Sequence, residues 1–295
     1  MAAALSVVTW NIRAAIGPGP FPDRWWSRID ADRLRAIGSF IAGLEADVVA
    51  LQEVALVRRD GDLARQLGME VRYGAVRTFL VADGGAVTGA GCFGNALLSR
   101  LPIARSRTVA LPMAPADAFV EPPDADHPAA GIRYADAPDH VREPRCLLLA
   151  DVAGIAVGTA HLSHIGAGER LLQAEATVAA FGDAPSAVLL GDLNSAIEAS
   201  ELAPFAGWAD GFSEPPGDRA RVSTDDGSRI DHVLARGASV RDSTARLRVR
   251  WLNESSLTIE YPAGATVEQR DTVARFYDQR VRVVYRAAEI GRAHV

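Results

Sequence analysis

The chain of 295 residues contains no lysine, only two cysteines and no long uninterrupted run of apolar residues. Cys92 and Cys146 are too few for a disulfide scaffold or a four-ligand zinc site, so we expect both to be small buried residues. No apolar run approaches the roughly 18 residues that span a bilayer. Residues 1–8 also lack the pattern of a signal peptide. These absences predict a cytoplasmic protein without a transmembrane segment, or a secreted one if the true start of the chain lies upstream, and we expect a monomer.

Hydrophobic residues make up 48% of the chain and charged residues 23%, which excludes a disordered or collagen-like protein. Short β-rich runs alternate with amphipathic stretches, a pattern typical of an α/β or layered α+β domain. Leu34, Ile37 and Ile41 recur at spacings of three and four and predict a helix over residues 29–45. A second helix is predicted over residues 168–181. Strands are predicted at residues 7–11, 47–53, 146–151, 155–162, 187–190 and 230–234.

Residues 112–143 form a long segment rich in proline, aspartate and alanine, without a clear period. Segments of this length in compact domains are usually functional lids or disordered insertions. This segment holds seven acidic residues against two arginines. If it overhangs the active site, we expect it to repel long polyanions.

Polar side chains directly follow four of the predicted strands. They are Asn11, the Gln-Glu pair at residues 52 and 53, His161, and the pair Asp192 and Asn194. Each has a simpler explanation, since Asn11 and the Asp-Leu-Asn sequence could form turns, Glu53 could be solvated, and His161 could be a satisfied core residue. A buried strand, however, has no structural use for such groups unless a partner satisfies them. Because strand ends at one rim of a layered fold form the usual site, we expect these side chains to converge.

With these motifs the sequence resembles the endonuclease/exonuclease/phosphatase (DNase I-like) superfamily of Mg²⁺-dependent phosphoesterases. The matching motifs are Thr-Trp-Asn at residues 9–11, Leu-Gln-Glu at 51–53, Gly-Asn-Ala-Leu-Leu-Ser-Arg at 94–100, Pro-Arg at 144–145, Thr-Ala-His-Leu at 159–162, Arg-x-x-Gln at 170–173, Gly-Asp-Leu-Asn at 191–194 and Arg-Ile-Asp-His-Val at 229–233. The resemblance implies an α+β fold, a four-layer α/β/β/α sandwich of two packed mixed β-sheets flanked by helices.

The resemblance also implies a metal site. Glu53 would bind Mg²⁺, with Asn11 beside it as the second residue of the metal site. Oxygen ligands dominate this set, so Mn²⁺ is the expected substitute.

Six further residues receive roles from the resemblance. Asp192 would orient and deprotonate the attacking water, and Asn194 would hold the phosphate. His161 would contact the scissile phosphate or assist the leaving group. The remaining three are Asp231, which in the family orients a histidine from a later motif, and Asn95 and Arg145, which would line the site and bind phosphate or substrate.

The later motif of the family, Ser-Asp-His, does not follow Asp231 in this chain. We therefore predict a family domain over residues 1–240 that lacks its last motif. Residues 241–288 would be either a divergent natural extension or a fragment joined to an incomplete domain. Residues 289–295 match the translation of a common sequencing-library adapter in one frame, and we interpret them as an adapter-derived tail.

The predicted function is hydrolysis of a phosphodiester or phosphomonoester by metal-assisted in-line attack of water. The formal net charge of −6 argues against unspecific binding to long DNA, because backbone affinity comes mainly from positive charge. A small phosphodiester or a lipid head group is therefore favoured over nucleic acid as the substrate. The alternative is a catalytically impaired phosphate-binding or scaffold protein with the same fold, which the absent Ser-Asp-His would explain.

Overall fold

A computed structural model describes residues 5–16, 31–57, 63–83, 86–121, 128–138, 141–211, 229–240, 243–244, 248–253, 256–260, 285–287 and 290–292. The helices in these ranges are α1 (Ala31–Gly43), α2 (Leu63–Leu67) and α3 (Ala167–Phe181). The strands are β1 (Val7–Asn11), β2 (Val48–Val57), β3 (Glu70–Asp83), β4 (Ala86–Ser99), β5 (Ile103–Ala110), β6 (Cys146–Val152), β7 (Ile155–His161), β8 (Ala187–Asp192), β9 (Ala209–Asp210), β10 (Asp231–Arg236), β11 (Ala238–Val240), β12 (Ser243–Thr244), β13 (Arg248–Asn253), β14 (Ser256–Glu260), β15 (Tyr285–Ala287) and β16 (Ile290–Arg292).

Most of the strands form two six-stranded sheets. The first has the order β12-β15-β1-β2-β4-β3 and the second has the order β5-β6-β7-β8-β10-β9. Each sheet is mixed, because β1 runs parallel to β2 and β7 runs parallel to β8 while the other pairs are antiparallel. Two separate two-stranded sheets, β11 with β16 and β13 with β14, lie outside these sheets.

Three apolar layers separate the helices and the sheets. The middle layer joins the two sheets through side chains such as Val7 and Leu97 from the first and Val157 and Leu190 from the second. An outer layer packs α1 and α2 against the first sheet. The other outer layer packs α3 against the second sheet. The predicted four-layer sandwich is thereby confirmed.

The predicted helices and strands are found with small shifts at their ends, except that residues 29 and 30 of the first predicted helix lie outside the described residues. The second helix ends where expected, because Gly182 adopts a positive φ of 52° that stops it. The long hairpin of β3 and β4 is largely absent from the sequence prediction, since its distal half shows no clean alternation of apolar and polar residues. Cys146 is buried as expected, whereas Cys92 on this hairpin stays partly exposed.

The described parts of residues 112–143 contain a small apolar core of their own. Val120, Ala129, Tyr134 and Val141 pack together with Ile165, which lies just after β7. An isolated bridge between Phe119 and Arg133 joins two of its segments. The insertion therefore rests on the loop that follows His161.

Two short strands near the chain's end pair with earlier ones. β15 pairs antiparallel with both β1 and β12, and β16 pairs antiparallel with β11. The division at residue 240 and the origin of residues 289–295 stay predictions. No helix among the described residues is both long and apolar enough to cross a membrane.

Candidate active site

Gln52 and Glu53 are neighbours in β2 but serve different parts of the molecule. Gln52 is fully buried between the sheets, where its Nε2 donates to Thr9 Oγ1 at 3.1 Å and to Thr159 Oγ1 at 2.9 Å. The pairing register of β2 shifts between Leu51 and Val54, and Glu53 has a φ of 52°. This bulge sets the direction of Glu53 independently of strand alternation.

Asn11, the last residue of β1, joins the two carboxylates of the site. Its Nδ2 donates to Glu53 Oε1 at 2.7 Å and to Asp192 Oδ2 at 2.9 Å. Its Oδ1 accepts a hydrogen bond from the backbone N–H of Arg13 at 3.0 Å, which fixes the orientation of the amide. One amide therefore holds a carboxylate from early in the chain next to one that lies 181 positions from Asn11.

Asp192 lies at the end of β8 and is fully buried. The backbone N–H of Asn194 donates to its Oδ1 at 3.1 Å, and His161 Nε2 lies 3.7 Å from its Oδ2. His161 stands directly opposite Asp192 because β7 and β8 are parallel and in register. These contacts hold the carboxylate in one orientation.

Asn194 ties the two loops of this edge together. Its Nδ2 donates to the carbonyl oxygen of Leu162 at 2.9 Å, just beyond β7. Its backbone adopts a φ of 51°, an unusual conformation for a residue other than glycine. Such a conformation persists only where the surroundings impose it, and it is frequent at functional sites.

Arg145 lies beside His161 and is 5% exposed. Its Nη1 is 2.9 Å from His161 Nδ1, and its Nη2 is 3.1 Å from His164 Nδ1. Glu143 Oε2 lies 3.1 Å from Nη2 and balances the charge. Neither His164 nor Glu143 is among the predicted residues, because neither directly follows a predicted strand. The only sequence signal for them is that His164 lies near His161 and Glu143 lies near Arg145.

Asp231 and Asn95 complete the set of predicted residues. Asp231 begins β10 directly opposite Asp192 and is 1% exposed. Asn95 lies in β4, and its Nδ2 donates to the carbonyl oxygen of Cys146 at 2.9 Å, next to Arg145 in sequence. All eight predicted residues thus lie at one edge of the paired sheets or adjoin a residue that does, while their chemical roles stay predictions.

His232 lies outside this group, as its position next to Asp231 in a strand predicts. It is fully buried, and its Nε2 donates to the carbonyl oxygen of Ser195 at 2.8 Å. Burial, followed by the charge of Arg229, lowers its pKa to about 4. His232 is therefore a neutral structural residue at physiological pH and does not replace the histidine of the absent motif.

A polar network from α3 supports the loops of the site from behind. Gln173 Oε1 accepts a hydrogen bond from Ser163 N at 2.8 Å, and Arg170 pairs with Glu201 at 2.9 Å. Glu201 also accepts a hydrogen bond from Ser195 Oγ at 2.7 Å. Burial alone would raise the pKa of Glu201, but the hydrogen bonds from Ser195 and Arg170 outweigh it and lower the pKa. The Arg-x-x-Gln motif thus supports the loops that carry His161 and Asn194.

The donor set at this edge fits a hard divalent cation. Glu53 and Asp192 bring carboxylate oxygens to within 3 Å of the same amide nitrogen. The described ranges contain no group of three or more His, Cys, Asp or Glu side chains arranged to hold a metal ion. Magnesium does not need such a cage, since it commonly binds one or two carboxylates together with waters and substrate phosphate.

Comparison with known proteins assigns the chain to a family. Residues 8–252 match the profile of the Endonuclease/Exonuclease/phosphatase family. No curated protein matches the chain. Members of the family generally use divalent metal ions and hydrolyse phosphate esters.

Several solved structures share the fold. An endonuclease/exonuclease/phosphatase family protein from Bacteroides thetaiotaomicron has a TM-score of 0.63 at 15% identity, covering 99% of this chain and 100% of its own. A mannosyl-6-phosphatase from the same organism has a TM-score of 0.54 at 15% identity, covering 97% and 99%. TDP2 from D. rerio, solved with single-strand DNA product, has a TM-score of 0.53 at 16% identity, covering 98% and 99%. From the extent of the profile match, the chain belongs to the Endonuclease/Exonuclease/phosphatase family.

Proposed function

We propose that the protein is a Mg²⁺-dependent phosphoesterase that hydrolyses a small phosphodiester, a phosphomonoester or a lipid head group. The observation that carries the proposal is the amide of Asn11, which lies within hydrogen-bond distance of both Glu53 and Asp192. In this proposal the first carboxylate would bind the cation and the second would act as the base. The same protein would act as a cytoplasmic monomer, in keeping with the sequence predictions.

In this proposal Asp192 orients the attacking water and accepts its proton. The carboxylate suits the role because Asn11 and the backbone of Asn194 hold it in place. A base that is already held in place lowers the activation free energy, because no entropy is lost in orienting it during the reaction. Asp231 lies opposite Asp192, but no Ser-Asp-His motif follows it to supply the histidine that it would orient.

Asn194 and His161 would bind the phosphate. The Asn194 side-chain amide donates one hydrogen to the carbonyl oxygen of Leu162. We propose that it donates its second hydrogen to a phosphoryl oxygen. His161 faces Asp192 across 3.7 Å, so a phosphate near Asp192 also comes within its reach. Such fixed donors stabilise charge that grows on the phosphoryl oxygens during attack.

Glu53 would hold the cation, with Asn11 keeping its carboxylate oriented. When bound, Mg²⁺ would neutralise charge on the phosphoryl oxygens, and Mn²⁺ would supply the same chemistry. The positive φ of Glu53 supports this role, because such a backbone conformation costs free energy and a solvated surface glutamate does not need it.

Hydrolysis of bis-p-nitrophenyl phosphate with Mg²⁺ or Mn²⁺ tests the proposal. We expect the parent chain to be active, and D192N to lose about 10²- to 10⁴-fold in kcat, the usual contribution of a general base. E53Q should lose activity that a higher Mg²⁺ concentration partly restores. Glu175→Gln, which changes an exposed carboxylate on α3, serves as the matched control and should match the parent.

Two results would contradict the assignment. Unchanged activity in D192N would place the chemistry elsewhere. A folded parent chain that is inactive with every divalent metal would favour the alternative function, a phosphate-binding or scaffold protein, which the absence of Ser-Asp-His after Asp231 supports.

A further inference from the structure

Arg145 contacts two histidines through the same type of ring atom. Its Nη1 lies 2.9 Å from His161 Nδ1 and its Nη2 lies 3.1 Å from His164 Nδ1. The guanidinium is almost fully buried, and Glu143 neutralises its charge at 3.1 Å. The arginine is therefore built into the site as a fixed group, with its donors directed at the two imidazoles.

The chemistry of these groups determines where the imidazole protons lie. A guanidinium only donates hydrogen bonds and remains protonated in proteins. Each Nδ1 that faces Arg145 must therefore accept. A neutral imidazole whose Nδ1 accepts carries its hydrogen on Nε2.

We propose that Arg145 is a positioning residue that holds His161 and His164 together as Nε2–H tautomers. The effect of this tautomer on catalysis rests on the proposed function. His161 Nε2 lies 3.7 Å from Asp192 Oδ2, so its hydrogen is on the side of the ring that faces this carboxylate, beside which the proposed function places the phosphate. His161 is then a hydrogen-bond donor to the phosphate and has no lone pair at Nε2 with which to deprotonate water.

The surroundings keep both rings in this arrangement. His161 is buried and stands in register with Asp192 at the end of β7. His164 is exposed, but Ile165 beside it is buried in the small core of the insertion. Glu143, at the end of that insertion, contacts the same guanidinium nitrogen as His164. The insertion thereby orients the second imidazole next to the first.

The tautomers can be measured without any hydrolysis. In the ¹⁵N-labelled full chain, two-bond ¹H–¹⁵N correlation spectra distinguish a protonated from an unprotonated ring nitrogen. H161Q and H164Q variants assign the two sets of signals. At a pH where the imidazoles are neutral, we expect Nε2 to be protonated and Nδ1 unprotonated in both rings of the parent. Protonated Nδ1 in either ring would overturn the proposal, whether or not the protein is active.

Arg145→Met provides the second readout. The variant removes the donor and keeps much of the volume, so the two histidines should show mixed tautomers. For bis-p-nitrophenyl phosphate we expect kcat to fall about 10- to 100-fold with KM nearly unchanged, the size typical of outer-shell partners. Arg105→Met, which changes an arginine whose side chain is 86% exposed, is the control and should match the parent in both measurements.

The kinetic pattern separates this role from direct phosphate binding by Arg145. A raised KM with unchanged kcat in Arg145→Met would mean that the guanidinium binds substrate, and it would overturn the positioning role. If Arg145→Met does not fold, the spectrum of the parent decides alone. Failure of hydrolysis in the parent together with the expected tautomers would reject the proposed function but leave the positioning role standing.

Discussion

Adjacent residues in this protein repeatedly have different roles. Gln52 joins the sheets from inside, while Glu53 reaches the site through a bulge. Asp231 lies at the site edge, while His232 is buried against Ser195. Residue type alone does not show which member of each pair faces the site. The alternation of side chains along a strand and its local bulges decide which face of the sheet each side chain lies on.

The buried His232 predicts an acid-sensitive component of stability. Its pKa is lowered to about 4 in the folded state, mainly by burial, and an unfolded histidine titrates near 6.5. The unfolded chain therefore takes up a proton first as the pH falls. The contribution of neutral His232 to the free energy of unfolding is fully present above about pH 6.5. It is lost progressively as the pH falls to about 4, and the total loss is about 3 kcal/mol.

Urea unfolding across this pH range measures the effect. In H232Q the amide can still donate to the carbonyl of Ser195 but does not titrate, so the free energy of unfolding should fall less steeply with acid than in the parent. Identical slopes for the two proteins would show that His232 carries no such linkage.

At the scale of elements, the site depends on the close contact of β7 and β8. The two strands are parallel, and their last paired residues are His161 and Asp192. A Cβ on Gly191 would lie 2.1 Å from the carbonyl oxygen of Ala160. A glycine is therefore required one position before Asp192.

Gly191→Ala should push β8 away from β7 and displace Asp192 from His161. We expect a loss of about 1–3 kcal/mol in stability, the usual cost of overpacking, and a strong loss of hydrolysis. Gly168→Ala is the matched control, because an added Cβ in α3 meets nothing within 4 Å. Alanine favours helix over glycine by up to about 1 kcal/mol, so the control should be at least as stable as the parent. Thermal unfolding and hydrolysis of both variants check the expectation, and a tolerated Gly191→Ala would contradict it.

At the scale of the whole molecule, charge is the property that bears on substrate choice. The chain has a formal net charge of −6, and the insertion that rests on the His161 loop is acidic. Affinity for long nucleic acids grows with the number of phosphates that basic groups neutralise. One neighbour of the same fold was solved with single-strand DNA product, so the fold by itself does not exclude such a substrate.

We expect the protein to cleave small phosphodiesters in preference to plasmid DNA. Hydrolysis of bis-p-nitrophenyl phosphate should depend little on salt, and supercoiled plasmid should remain largely intact at low enzyme concentration. Gel analysis of the plasmid beside the small-substrate assay tests this, with D192N as the control for contaminating nuclease. Efficient nicking by the parent but not by D192N would overturn the preference for small substrates.

The motifs and their order along the chain are enough to recognise the family, and that resemblance predicts the fold class and most of the residues at the site edge. Strand periodicity and polar residues after apolar runs are local signals, and they mark Asn11, His161 and Asp192. Which side chains touch is a property of the folded chain, because Asn11 joins carboxylates that are far apart in sequence. The link from His164 and Glu143 to Arg145 depends on how the insertion packs on the second sheet, and no local pattern encodes that packing.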